Sequence, residues 1–130
     1  MPDGLYVVNF GATDVAGNSG GRVATLTVDS TPPVFSNIRT NPQGISYLIP
    51  PSKTTISFNL SENATVLIDV FNKDNLRIKE ILSKSLDLGA NSAEWDGTDS
   101  SGSQLPDGSY NLNFKATDLA GNIGTAAATI

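Results

Sequence analysis

Along residues 110–117 apolar and polar side chains take turns. Tyr110, Leu112, Phe114 and Ala116 fall on one side, and Asn111, Asn113, Lys115 and Thr117 on the other. A period of two predicts a strand with one face toward a core and one toward water. Tyr6, Val8, Phe10 and Ala12 repeat the pattern near the N-terminus and are expected to face inward. "TTISFNLSE" (54–62) alternates with Ile56, Phe58 and Leu60 inward. After a tight turn at Glu62-Asn63 comes the apolar strand "ATVLIDVFN" (64–72). "VFSNIRT" (34–40) starts another strand, broken by the turn "NPQG" (41–44), and "NSAEW" (91–95) leads a further one into a polar loop. Residues 76–89 are ambiguous. Leu76, Ile78, Ile81, Leu82 and Leu86 suit either a short helix or two strand pieces. Strand is preferred, because the segment is short and its neighbours are strands. "RVATLTV" (22–28) and "GTAAATI" (124–130) read as returning strands. About seven strands thus fall between residues 33 and 130, the spacing of an antiparallel sandwich. Lys and Arg at 53, 73, 77, 79 and 84 are placed to protect its edges.

The chain also repeats itself. "PDGLYVVNFGATDVAGN" (2–18) and "PDGSYNLNFKATDLAGN" (106–122) share twelve of seventeen positions. Each opens on a Pro-Asp-Gly turn, runs through an alternating strand and a loop, and returns as a second strand. Each therefore reads as a hairpin that ends a domain. Between them, "DSTPP" (29–33) is a linker whose prolines favour an extended chain. The expected organisation is a C-terminal hairpin of a preceding repeat over residues 1–30 and a complete domain over 31–130, a window cut out of phase across a tandem array.

Composition narrows the chemistry. The net charge is −5 with no basic run, which disfavours nucleic acid and anionic membrane. The absence of Cys and His removes thiol catalysis, Cys/His zinc sites and histidine acid–base chemistry. Ser and Thr are plentiful, but no activating base can be paired with them. No apolar run approaches the ~20 residues of a membrane-spanning helix. If the parent protein is exported, its signal is expected outside this piece.

The run from "ISFNLSENATVLIDVFNKDN" through "AEWDGTDSSGSQLPDGSYNLNFKATDLAGN" resembles the Ig-like domain of flagellar hook-capping proteins. The endings "TLTVDSTPP" and "ATDLAGN" resemble Ig-like repeats of bacterial and archaeal surface adhesins. The resemblance implies an all-β Ig-like sandwich of about seven antiparallel strands, preceded by the F–G hairpin of a neighbouring repeat. It says little about function, because the family is a scaffold.

Within that frame Tyr6 and Tyr110 take the tyrosine-corner position, the alternative being plain core aromatics. Trp95 is either a sugar-stacking platform or, by its alternation with Ala93, a core residue. "WDGTDSSG" (95–102) lacks the ligand spacing of an EF-hand and reads as a polar turn. Two tripeptides, Asn59-Leu60-Ser61 and Asn63-Ala64-Thr65, match the glycosylation acceptor pattern, which arises easily by chance. One constellation stands out. The Ig frame brings the linker Asp29, the B–C loop Glu62 and the F–G loop Asp118 to one end of the domain. Three carboxylates suit Ca²⁺ and repel one another without a cation. The alternative is that Asp118 caps its own loop and Glu62 faces water.

The expected function is a non-catalytic spacer, stalk or adhesion module of a large extracellular or cell-surface protein, with neighbouring Ig-like repeats as partners and hairpin exchange as a route to homo-oligomers. The alternatives are an accessory substrate- or cell-wall-binding domain of a secreted hydrolase, and a hook-cap-like assembly scaffold.

Overall fold

A computed structural model describes residues 1–46 and 52–130, which form two compact units, Met1–Thr31 and Pro32–Ile130.

The first unit is a hairpin, β1 (Gly4–Thr13) antiparallel to β2 (Ser19–Val28). Tyr6 and Val8 are half-buried, but Phe10 is 57% exposed and Ala12 is also exposed. The inward placing expected from alternation is thus corrected here. Alternation assigns side chains to a face, and burial needs a second layer against that face.

Among the described residues the second unit contains seven strands: β3 (Phe35–Asn41), β4 (Thr54–Leu60), β5 (Ala64–Phe71), β6 (Arg77–Leu86), β7 (Gly89–Trp95), β8 (Asn111–Thr117) and β9 (Ile123–Thr129). They form an antiparallel sheet ordered β3-β4-β7 and another ordered β6-β5-β8-β9. In Ig lettering these are A-B-E and a four-stranded sheet built on C, F and G, so the chain is an all-β Ig-like sandwich.

The period-two patterns meet in its core. Ile56, Phe58 and Leu60 on β4 and Ala93 and Trp95 on β7 come from one sheet. Val66, Ile68 and Val70 on β5 and Leu112, Phe114 and Ala116 on β8 come from the other. Three phenylalanines join the layers. Phe35, Phe58 and Phe114 pack edge to face, with ring centroids 5.5–5.7 Å apart. Such pairs add to the burial of their apolar area.

Residues 77–86 form a strand, and the helix-like spacing has a physical cause. The β5–β6 register slips between Ile68 and Asp69 and again between Val70 and Phe71. Each slip inserts one extra residue, Ile81 and then Ile78, into β6. Bulges break the period of two and let Ile78, Ile81 and Leu82 all be half-buried. They also bend an edge strand that carries Arg77, Lys79, Glu80 and Lys84, which guards it against pairing with another chain.

The chain enters the sandwich through a tight contact. Pro33 is fully buried, and its carbonyl oxygen would lie 1.7 Å from a Cβ built on Gly124. Only glycine admits that approach. Beside it, Ser61 N donates to the Val34 carbonyl at 3.1 Å and Val34 N donates to Ser61 Oγ at 2.8 Å. These bonds fix the β4–β5 loop to the start of β3.

Candidate functional site

Four loops share one construction. Asp14, Asn72, Asp99 and Asp118 each open a five-residue turn whose fourth residue has positive φ: Gly17 (86°), Asn75 (60°), Gly102 (83°) and Gly121 (90°). In each, the first residue's N–H donates to the fifth residue's carbonyl, and the fourth residue's N–H donates back to the first residue's carbonyl. The opening side chain then accepts from the fifth residue's N–H, at 2.8 Å for Asp14, 3.0 Å for Asn72 and 2.9 Å for both Asp99 and Asp118. This is a type I turn closed by a left-handed residue and locked by an Asx cap. From the sequence, the loop at 99–103 reads only as part of a polar turn. The signal shared by the four loops, Asp or Asn followed three positions later by Gly or Asn, is present in the sequence.

Asp118 is the capping residue of its loop. Its Oδ1 accepts from Asn122 N and its Oδ2 from Asn122 Nδ2, both at 2.9 Å. Burial pushes this carboxyl up, but the bonds from Asn122, Ala120 and Gly121 outweigh it and hold it below the ordinary carboxylate range. Glu62 lies close by, and each of the two offers a carboxylate oxygen within 4.8 Å of the other. The expected meeting of the B–C and F–G loops is therefore present. The loop's own donors stabilise the charge on Asp118, so repulsion alone does not demand a cation there. Asp29 follows β2 in the hairpin unit, where its Oδ1 accepts from Thr31 N at 3.0 Å.

The hairpin's end is fastened by a residue that sequence reading passed over. Asp3 Oδ1 accepts from Ser30 Oγ at 2.6 Å and Ser30 N at 3.0 Å, and its Oδ2 accepts from Thr31 Oγ1 at 2.8 Å. The Ser30 and Thr31 hydroxyls, then the Ser30 N–H, lower the Asp3 carboxyl. The Pro-Asp-Gly turn thus grips the start of the linker.

Both tyrosine corners form. Tyr6 Oη donates to the Pro2 carbonyl at 2.7 Å, and Tyr110 Oη to the Pro106 carbonyl at 2.8 Å. Trp95 is 3% exposed, packs edge to face on Tyr110, and donates its Nε1–H to the Thr98 carbonyl at 3.0 Å. A cleft of about 410 Å³ borders Trp95, Tyr110 and Leu105, but the indole lies within the core and offers no open face for a sugar. Asp96 accepts from Thr98 Oγ1 at 2.6 Å and Lys79 Nζ at 3.3 Å, so "WDGTDSSG" is an internally bonded turn. Asn63 Oδ1 accepts from Leu88 N at 2.8 Å and ties two loops together.

No curated protein matches the chain. Dimeric latent PorU from Porphyromonas gingivalis contains a similar fold, with a TM-score of 0.60 at 14% identity, over 99% of this chain and 12% of that one. At that identity the likeness speaks for the fold alone. The model of the FlgD Ig-like domain matches residues 50–119, more than half of the sequence. With the two-layer sandwich, the F-strand tyrosine corner and the capped F–G loop, that match makes the chain a member of the FlgD Ig-like domain family.

Proposed function

We propose that the chain is a non-catalytic structural module, a spacer or stalk repeat of a large surface or secreted protein. One observation carries this reading. The hairpin of residues 1–31 reproduces β8–β9 in register, capped loop and tyrosine corner, and leads into the sandwich through "DSTPP". Such duplication suits a tandem array. Stretching the chain between its ends by force spectroscopy tests it. A load-bearing module unfolds residues 32–130 in a single cooperative event. Gradual extension at the force that opens a lone hairpin would overturn the reading.

A second reading is an accessory module of a secreted hydrolase. The parent sequence separates the two: a row of similar repeats supports the stalk, and an adjoining catalytic domain supports the accessory role.

The stalk reading includes calcium held by Asp29, Glu62 and Asp118, stiffening the linker. The closeness of Glu62 and Asp118 supports it, since hard oxygen donors in number are what Ca²⁺ takes. Binding to the folded state alone adds about 2.7 kcal/mol at a hundredfold excess over Kd. Melting in Ca²⁺ and in chelator, for wild type and Asp118→Ala, checks it. An unchanged wild-type midpoint at saturating Ca²⁺ removes the ion from the reading and leaves the module intact.

A further inference from the structure

We propose that Arg22 keeps the β1–β2 hairpin out of the slot that β8–β9 fills in a second copy of this chain. In ladder register and at the other inward positions the hairpin resembles the pair that fills that slot. The ladders match pair for pair: Val7 opposes Thr25 and Thr13 opposes Ser19, as Asn111 opposes Thr129 and Thr117 opposes Ile123. The inward side chains correspond as well. Tyr6 stands for Tyr110, Val8 for Leu112, Phe10 for Phe114 and Ala12 for Ala116. On the returning strand Ala24 stands for Ala128 and Leu26 for Ile130. Gly20 stands for Gly124, the residue whose missing Cβ admits the Pro33 carbonyl, and nothing lies within 4 Å of a Cβ at Gly20.

The inward position that breaks the match is Arg22. It opposes Phe10 where Ala126 opposes Phe114. Ala126 is half-buried against an aliphatic and aromatic cluster. A guanidinium there is far larger than the alanine methyl it replaces and gives up part of its hydration against that apolar cluster. In the free hairpin Arg22 is exposed and costs nothing. Exchanging near-identical elements is otherwise an easy route to oligomers. A single inward charge lets neighbouring repeats keep similar hairpins without trading them.

The test uses the full chain, which has no cysteine of its own. Thr65 on β5 faces Thr117 on β8, and Thr13 is the hairpin's counterpart of Thr117. Chains carrying Thr13→Cys are mixed with chains carrying Thr65→Cys under mild oxidation, and mixed disulfide dimers are counted on a non-reducing gel. With Arg22 present they are expected to stay at the level of random Thr13→Cys self-pairs. Arg22→Ala is expected to raise mixed dimers about tenfold or more, and Arg22→Lys to leave them low. No rise with Arg22→Ala, or an equal rise in self-pairs, overturns the proposal. Ala126→Arg tests the slot directly. Its sandwich is expected to melt well below wild type, and an unchanged midpoint overturns the proposal equally.

Discussion

The hairpins β1–β2 and β8–β9 have similar sequences, the same register, the same capped loop and the same tyrosine corner. Their energetic standing is opposite. Leu112, Phe114 and Ala116 are at most 1% exposed, whereas Phe10 is 57% exposed and Leu26 49%. Turn, cap and ladder are thus written locally, in about twenty-five residues. Burial is written elsewhere, in the strands β3–β7 that pack with Leu112, Phe114 and Ala116 in the sandwich core. An isolated two-stranded hairpin is marginal in water. The first copy therefore shows what local coding achieves alone, and the second what a core adds.

Matched substitutions in the two copies sharpen the contrast. Trp95, the sole tryptophan, is buried in the sandwich and reports on that unit alone. Phe114→Ala removes a ring from the aromatic triad and is expected to cost about 3–5 kcal/mol by chemical denaturation followed at Trp95. Phe10→Ala should leave that transition within about 0.5 kcal/mol of wild type. Equal losses would break the comparison.

Gly124→Ala comes next. The new methyl meets the Pro33 backbone oxygen, which no rotamer change can relieve, so a loss of about 3 kcal/mol is expected. Gly20→Ala meets open space and should leave the Trp95 transition unmoved. Smaller again is Tyr110→Phe, which removes the corner hydrogen bond for about 1 kcal/mol. Tyr6→Phe should not register at Trp95.

The smallest effect is a pH dependence. The folded Asp118 carboxyl is held below its unfolded value of 3.8. Its contribution is therefore fully present above about pH 3.8 and is lost as pH falls below that, through the folded value. Asp118→Asn should flatten the acid limb of the Trp95-monitored stability curve, and Asp14→Asn should not. An acid limb unchanged by Asp118→Asn would show that other carboxylates dominate it.

Most of this architecture was readable because its signals are local. The strict alternation at Ile56, Phe58 and Leu60 and at Leu112, Phe114 and Ala116 placed two central strands and their inward faces. Residues 77–86 were harder, because two bulges destroy the period that reveals a strand. Which sheet β6 joins is a matter of long-range pairing and leaves no mark in its own residues. Of the acidic cluster, Glu62 and Asp118 were legible because the Ig frame fixes which loops share an end. The fastening of Ser30 and Thr31 by Asp3 was not, since it links positions 27 and 28 residues apart through side chains that look like ordinary turn residues.

The four capped loops also bear on the order of folding. A five-residue turn carrying its own Asx lock closes early, since small loops and hairpins form within microseconds. The ladders β5–β6 and β8–β9 therefore need little chain search. The pairing of β4 with β7 joins Thr54 to Trp95 across the whole β5–β6 hairpin, and β5 finds β8 over a similar span. Those distant closures set the pace, as in other sandwiches dominated by non-local pairs. A cap already closed when those distant strands meet is part of the rate-limiting state, so breaking it should slow folding and leave the unfolding rate nearly untouched.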